Sequence, residues 1–291
     1  MSAQTKIVIS ASRRTDIPAF YLDWFMDRIK RGYFEVENPF NRRVKVVPAT
    51  PDKVHTIVFW SKNFGPFIKK SIGRRLQKKG FNHFFNFTIN STAGNLEPNV
   101  PPLKNRLNQL KHLSNEFGPS AINWRFDPIC YFKDSGDAAG TNIRDFSNIA
   151  DKAAQQGISR CITSFMDNYP KIQKRVAAKP GFAFVQPPLD TKVALILHME
   201  KELADRGIQL FTCCERELVT ALPANSAVTH SACIPNDLLL ELFGGDISLK
   251  RDTGQRVKAG CGCKVSVDIG SYRHHPCYHN CLFCYANPTS K

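Results

Sequence analysis

The sequence predicts an α/β fold, a complete or partial (β/α) TIM-like barrel, and three observations predict it. Six short apolar runs alternate with helix-patterned segments over about 215 residues, the signature of parallel strand–helix units. Polar side chains collect where each run gives way to the next helix, which is the edge that carries the site in such barrels. No Gly-rich dinucleotide loop follows a strand, which argues against a Rossmann domain.

The first strand is Lys6 to Ser12, and it turns through Arg13, Arg14, Thr15, Asp16, Ile17 and Pro18 into a helix over Tyr21 to Arg31. Leu22, Phe25, Met26 and Ile29 recur there at helical spacing, with Pro18 near the start and Gly32 just past the end. A turn at Asn38-Pro39-Phe40-Asn41 and a strand at Val44 to Val47 make a short insertion. The strand Val54 to Trp60 ends in Ser61, Lys62 and Asn63 and leads to a basic helix stopping at Gly80. That helix sets an apolar stripe (Phe67, Ile68, Ile72, Leu76) against Lys69, Lys70, Arg74, Arg75, Lys78 and Lys79, a solvated outer face or a nucleic-acid surface. The strand Phe81 to Asn90 precedes a helix carrying Leu103, Leu107, Leu110 and Leu113, ended by Gly118-Pro119. The strand Ala121 to Asp127, helix Ile143 to Gln156, strand Ser159 to Phe165, helix Lys192 to Arg206 and strand Ile208 to Cys213 complete the alternation.

After Glu217 the pattern changes to Pro223, Pro235, a helix over Asn236 to Phe243, Gly244-Gly245 and a polar stretch. A last strand, Lys264 to Ile269, then feeds a cysteine loop. Residues 1–217 read as the barrel body and 218–291 as a cysteine-rich segment that completes it. The terminal strand is expected to close against the opening one.

With 291 residues, 42% of them apolar, the chain can bury a sizeable core. It has no run of eighteen apolar residues, and its N-terminus lacks the charged-then-apolar pattern of a signal peptide, so a cytoplasmic protein with no membrane partner is expected. The net charge of +15 fits a polyanionic partner, a phosphate-bearing substrate or only a soluble basic surface.

Eight of the ten cysteines lie between Cys213 and Cys284. In a reducing compartment such a concentration points to thiolate ligands and not to disulfides. Cys130 and Cys161 stand apart in apolar strands, where free cysteine is usually a buried thiol. The terminal stretch Cys277-Tyr-His-Asn-Cys281-Leu-Phe-Cys284-Tyr285-Ala-Asn287 spaces three cysteines as C-x3-C-x2-C. Three thiolates cannot fill four-coordinate zinc, but they can hold three irons of a [4Fe–4S] cluster and leave the fourth open. His274, His275 or His279 as a fourth ligand would instead make a closed zinc site. Cys214, Cys233, Cys261 and Cys263 form a second set, readable as an auxiliary [4Fe–4S] cluster, as zinc, or as buried thiols. Cys213 would point away from Cys214 if its strand continues.

The motif Cys277, Cys281, Phe283, Cys284 resembles the radical S-adenosylmethionine superfamily, and Tyr285 beside it is similar to spore photoproduct lyase and its relatives. From Ile9 through Pro18 to Asn287, the whole chain resembles a domain-of-unknown-function family (1848) with that terminal motif. The resemblance implies a [4Fe–4S] cluster whose open iron chelates S-adenosylmethionine, and reductive cleavage to a 5′-deoxyadenosyl radical that abstracts hydrogen from substrate. It implies Phe283 and Tyr285 near the adenine and a reductant such as flavodoxin or ferredoxin. It also implies that the first barrel strand delivers such a loop, which makes a circularly permuted barrel the expectation. The superfamily's Gly-Gly-Glu motif is absent, and Ser10-Ala11-Ser12-Arg13 or Ser61-Lys62-Asn63 is the expected replacement. Arg14, Asp16, Lys62, Asn63, Arg125 and Asp127 at the strand ends are the expected substrate contacts, the substrate being a nucleic acid or another phosphorylated molecule. The competing class is an iron–sulfur protein that binds nucleic acid or passes electrons without cleaving S-adenosylmethionine.

Overall fold

The computed structural model of the chain describes residues 5–134 and 139–286. The first four residues and Asn287 of the terminal motif lie outside that description. Eight strands form one parallel sheet: β1 (Ile7–Ala11), β2 (Val54–Ser61), β3 (Asn82–Thr88), β4 (Ile122–Ile129), β5 (Arg160–Phe165), β6 (Gln209–Thr212), β7 (Thr229–His230) and β8 (Val267–Asp268). Their order is β7-β6-β5-β4-β3-β2-β1-β8. The last strand therefore lies beside the first, with Ile9 opposite Val267 and Ser10 opposite Asp268.

The expected α/β architecture is present, with helices between successive strands. No ladder joins β7 to β8, each of which has two residues, too few to close a ring. Just beyond these strands the chain is linked by Gly262 N–H donating to Ser231 O (3.2 Å) and Lys264 N–H to Ile234 O (3.1 Å). The same demand shortens β8 from the predicted Lys264 to Ile269: Val265 N–H donates to Lys250 O, so its backbone is committed elsewhere.

Because side chains alternate along a strand, the sheet has two unlike faces. Ile9, Ile57, Phe59, Phe85, Phe87, Ile122 and Trp124 face the helices and make the main core with Phe25, Phe34, Phe67, Leu110 and Leu113. On the other face, Val8, Val58 and Phe84 pack against Ile234, Leu239 of the helix Asn236–Phe243, and the cysteines Cys233, Cys261 and Cys263. That face also carries polar groups that satisfy one another: Asn86 Nδ2 donates to Cys233 O (2.8 Å), Asn123 Nδ2 to Asn86 Oδ1 (3.2 Å), and Trp60 Nε1 to Ser10 Oγ (3.1 Å).

The predicted basic helix is two short ones, Gly65–Lys69 and Ile72–Gln77, broken at Ser71 with a left-handed φ of 51°. The strand Val44–Pro48 pairs with Tyr33–Glu37, and Phe182–Val185, Tyr131–Asp134 and Gly140–Thr141 make a small antiparallel sheet. Tyr33–Glu37 alternates Phe34 and Val36 with Glu35 and Glu37, a period of two that the sequence does offer, whereas the strands of the small sheet do not alternate. Among the described residues no helix is long and apolar enough to cross a membrane.

His83 of β3 is buried between the rings of Phe59, Phe85 and Phe117, and its Nε2 has no hydrogen-bond partner. Burial lowers its pKa from 6.5 to about 4. Between those values the unfolded chain binds the extra proton, so this contribution is complete above pH 6.5 and is lost as pH falls towards 4. Chemical denaturation across that range should show the native protein losing up to about 3 kcal/mol that a His83→Phe variant retains. Equal slopes would contradict it.

Candidate functional site

Two carboxylates fix the cysteine loop: the part-buried Asp268 ahead of it and the buried Asp16, which meets His279 within it. Asp268 ends β8 and accepts from Ser10 Oγ (2.9 Å), Ser12 Oγ (2.6 Å), Arg13 N–H (2.7 Å) and Gly270 N–H (3.0 Å). A Cβ on Gly270 would lie 2.1 Å from Ser12 Oγ, so the close approach of the two chain segments requires glycine there. Asp16 caps the helix Ile17–Phe20 by accepting from Ala19 N–H (2.9 Å). It also accepts from Ser61 Oγ (2.7 Å) and Lys62 N–H (2.9 Å), and it pairs with His279 Nε2 (2.8 Å). The loop is thereby held over the ends of β1 and β2.

Further clamps act on its backbone. Arg175 donates to the carbonyls of Cys281 (3.2 Å), Leu282 (2.5 Å) and Cys284 (3.0 Å), and Asn99 Nδ2 donates to Tyr278 O (2.8 Å). Leu282 and Phe283 pack with Leu96, Cys130, Met166, Ile172 and Phe182. Asn280 takes a left-handed φ of 53°, which asparagine tolerates better than most residues. Burial pushes the Cys277 thiol up to about 12 and raises Cys281 and Cys284 as well, while Lys62 pulls all three the other way. A thiolate set here needs a cation or a bound metal to offset it.

Each histidine near the loop has another partner. Beyond Asp16, His279 faces Asn99 O through Nδ1 (3.3 Å); Ser271 N–H donates to His275 Nδ1 (3.2 Å), and His274 faces Glu37 (3.4 Å). Among the described residues no three His, Cys, Asp or Glu side chains are grouped as ligands of a single ion. Thiolates that bind separate irons of one cluster need not converge in that way.

All three loop cysteines line a cavity of about 430 Å³ at the C-terminal edge of the parallel sheet. In it stand most of the residues expected from the sequence: Ser12, Arg13, Arg14, Asp16, Lys62, Arg125, Asp127, Phe283 and Tyr285. Cys213, Cys214, Cys233, Cys261 and Cys263 line it too. Several of the polar groups are already engaged. The Ser12 hydroxyl is held by Asp268, Arg125 pairs with Asp127, and Arg14 donates to Gly270 O (3.0 Å). Asn63 is not part of the lining; its Oδ1 accepts from Gly65 N–H (3.0 Å) and Gln109 Nε2 (3.0 Å) and serves the following helix.

Glu97 and Trp60 were not singled out by sequence. Buried Glu97 meets Lys62 Nζ at 2.5 Å and lies 4.0 Å from Cys281 Sγ, while Lys62 sits 5.2 Å above the Phe283 ring. Nothing in the local pattern around Glu97 marks it, because it lies in a loop without strand or helix periodicity. Trp60 could have been found: it shares the period of two with Val58 on the inner face of β2.

The model of the family described as Domain of unknown function (DUF1848) matches residues 8–286. The chain belongs to that family. No curated protein and no solved structure matches it. The DUF1848 match spans both the strand–helix body and the cysteine loop, so the parts that meet at the cavity fall within one family unit.

Asp16→Asn would place an amide NH2 among the donors from Ala19, Ser61, Lys62 and His279. Stability should fall by about 2 kcal/mol, and in metal-free protein Cys277 and Cys281 should alkylate faster, as read by mass spectrometry. Unchanged alkylation kinetics would show that Asp16 does not hold the loop.

Proposed function

We propose that this protein is an iron–sulfur enzyme of the radical S-adenosylmethionine type. The observation that carries the proposal is the placement of Cys277, Cys281 and Cys284 together in the lining of a cavity at the strand ends that also holds Arg13, Lys62, Arg125 and Asp127. On this reading the eight strands are a circularly permuted, partly open barrel, and the loop holds a [4Fe–4S] cluster through its three thiolates. When bound and reduced, the cluster supplies the electron that splits S-adenosylmethionine into methionine and a 5′-deoxyadenosyl radical, which takes hydrogen from the substrate.

The chain's own residues supply binding and exclusion of water. Lys62 and Glu97 set opposite charges beside Cys281, which suits the carboxylate and amino ends of an amino-acid head group. Phe283, under the Lys62 ammonium, offers an aromatic face for adenine. This pair takes the role left open by the missing Gly-Gly-Glu motif. Arg14, Arg125 and Arg256 around the cavity, with the net charge of +15, favour a nucleic acid or other phosphorylated substrate. A flavodoxin- or ferredoxin-like protein would deliver the electron.

Reconstituted protein, reduced and given S-adenosylmethionine, should release 5′-deoxyadenosine, and Cys281→Ala should abolish the product. With the cluster verified intact, absence of 5′-deoxyadenosine would favour an iron–sulfur protein that binds nucleic acid or passes electrons.

A further inference from the structure

Besides the three loop cysteines, five thiols from three chain segments line the same cavity. Cys213 and Cys214 follow β6, Cys233 follows β7, and Cys261 and Cys263 precede β8. Cys213 Sγ is 3.8 Å from Cys214 Sγ and 3.9 Å from Cys233 Sγ. Cys233 also interacts with Cys263, Cys263 with Cys261 and Cys261 with Cys214, so the five thiols are linked in a ring of neighbours. All are free thiols.

Two backbone features build this ring. In a continued strand Cys213 and Cys214 would point to opposite faces. The strand stops at Thr212, and Cys214 takes a left-handed φ of 63°, which brings both thiols to one wall. Between Cys261 and Cys263, Gly262 donates to Ser231 O at 3.2 Å, and a Cβ there would lie 2.9 Å from that oxygen. Glycine is what lets this pair approach the segment that carries Cys233.

The ring is also supplied with positive charge. Arg125 Nη1 donates to Cys233 Sγ at 2.5 Å, and its guanidinium lies 5.2 Å from the Trp60 ring. Arg13 stands 5.5 Å from the same ring, and Cys263 is among the negative groups that favour its charge. Its Nη2 is a buried donor with no hydrogen-bond partner. A buried guanidinium with an unused donor beside a ring of thiols calls for an anionic occupant that can accept from it.

We propose that these cysteines are a second iron–sulfur site, with Cys214, Cys233, Cys261 and Cys263 as ligands, Cys213 between two of them, and Arg13 and Arg125 offsetting its negative charge. An all-sulfur donor set selects zinc, copper(I) or iron–sulfur clusters. Five sulfurs exceed what one tetrahedral ion takes, and two guanidiniums suit the sulfides and thiolates of a cluster, whose potential depends on such hydrogen bonds and charge. The site does not depend on the function proposed for the terminal loop.

The test is metal content in the full chain, purified without oxygen and reconstituted with iron and sulfide. The triple variant Cys277→Ala, Cys281→Ala, Cys284→Ala should keep about four iron and four sulfide per chain, and adding Cys233→Ala and Cys263→Ala should remove them. Should the triple variant not fold, the native chain is expected to hold about eight iron, and Cys233→Ala with Cys263→Ala about four. In the triple variant, Arg125→Gln should move the reduction potential to more negative values with iron retained; an unchanged potential would refute the role of Arg125. A ring that takes up zinc without sulfide, or stays metal-free, overturns the proposal. Iron lost only with the terminal loop would do the same and leave the loop's own role standing.

Discussion

The contact on which the arrangement most depends is the buried carboxylate of Asp16. A carboxylate can only accept hydrogen bonds, and out of water it is tolerated when donors surround it. Asp16 gathers donors from the first helix, from the end of β2 and from His279, residues separated by up to 263 positions in the chain. In satisfying one charge, the protein fixes where the cysteine loop sits relative to the strands. Asp268 does the corresponding work at the end of β8, just ahead of the loop, tying that strand to β1 and to the turn after it.

These two anchors help explain why two sets of cysteines line one cavity. The parallel sheet sends its polar strand ends to one edge, as such sheets do, and the chain returns twice to that edge after β6. The first return supplies the helix Asn236–Phe243, which covers the inner face, and the cysteines on either side of it. The second supplies β8 and the terminal loop. Apolar burial on the helical face, largely of isoleucine and phenylalanine, stabilises the sheet. The inner face gives up part of that burial to Asn86, Asn123, Trp60 and Arg125, whose hydrogen bonds and charge shape the site.

Much of this was legible in the sequence because it is written locally. Six strands of the body, the helix Asn236–Phe243, and the final strand beside the first follow from periodicity, glycine and proline. The spacing of Cys277, Cys281 and Cys284 is likewise local. What could not be read is which polar groups are left over once the fold has used its share. Ser12, Asp16 and Asn63 sit where site residues are expected, yet their side chains are occupied by Asp268, by the loop and by the next helix. Glu97 lacks any local pattern, and its importance comes only from meeting Lys62 and Cys281. The reading of Cys213 turned on one dihedral, the left-handed φ at Cys214, which no alternation rule anticipates.

The central claim is that the terminal loop holds an iron–sulfur cluster with one iron open to S-adenosylmethionine. Electron paramagnetic resonance of the dithionite-reduced protein, with S-adenosylmethionine carrying a 15N-labelled amino group, tests it most directly. The account predicts that the cofactor changes the reduced spectrum and that 15N hyperfine coupling appears, both lost in Cys281→Ala. A reduced cluster whose spectrum is indifferent to S-adenosylmethionine, with no nitrogen coupling, would contradict it.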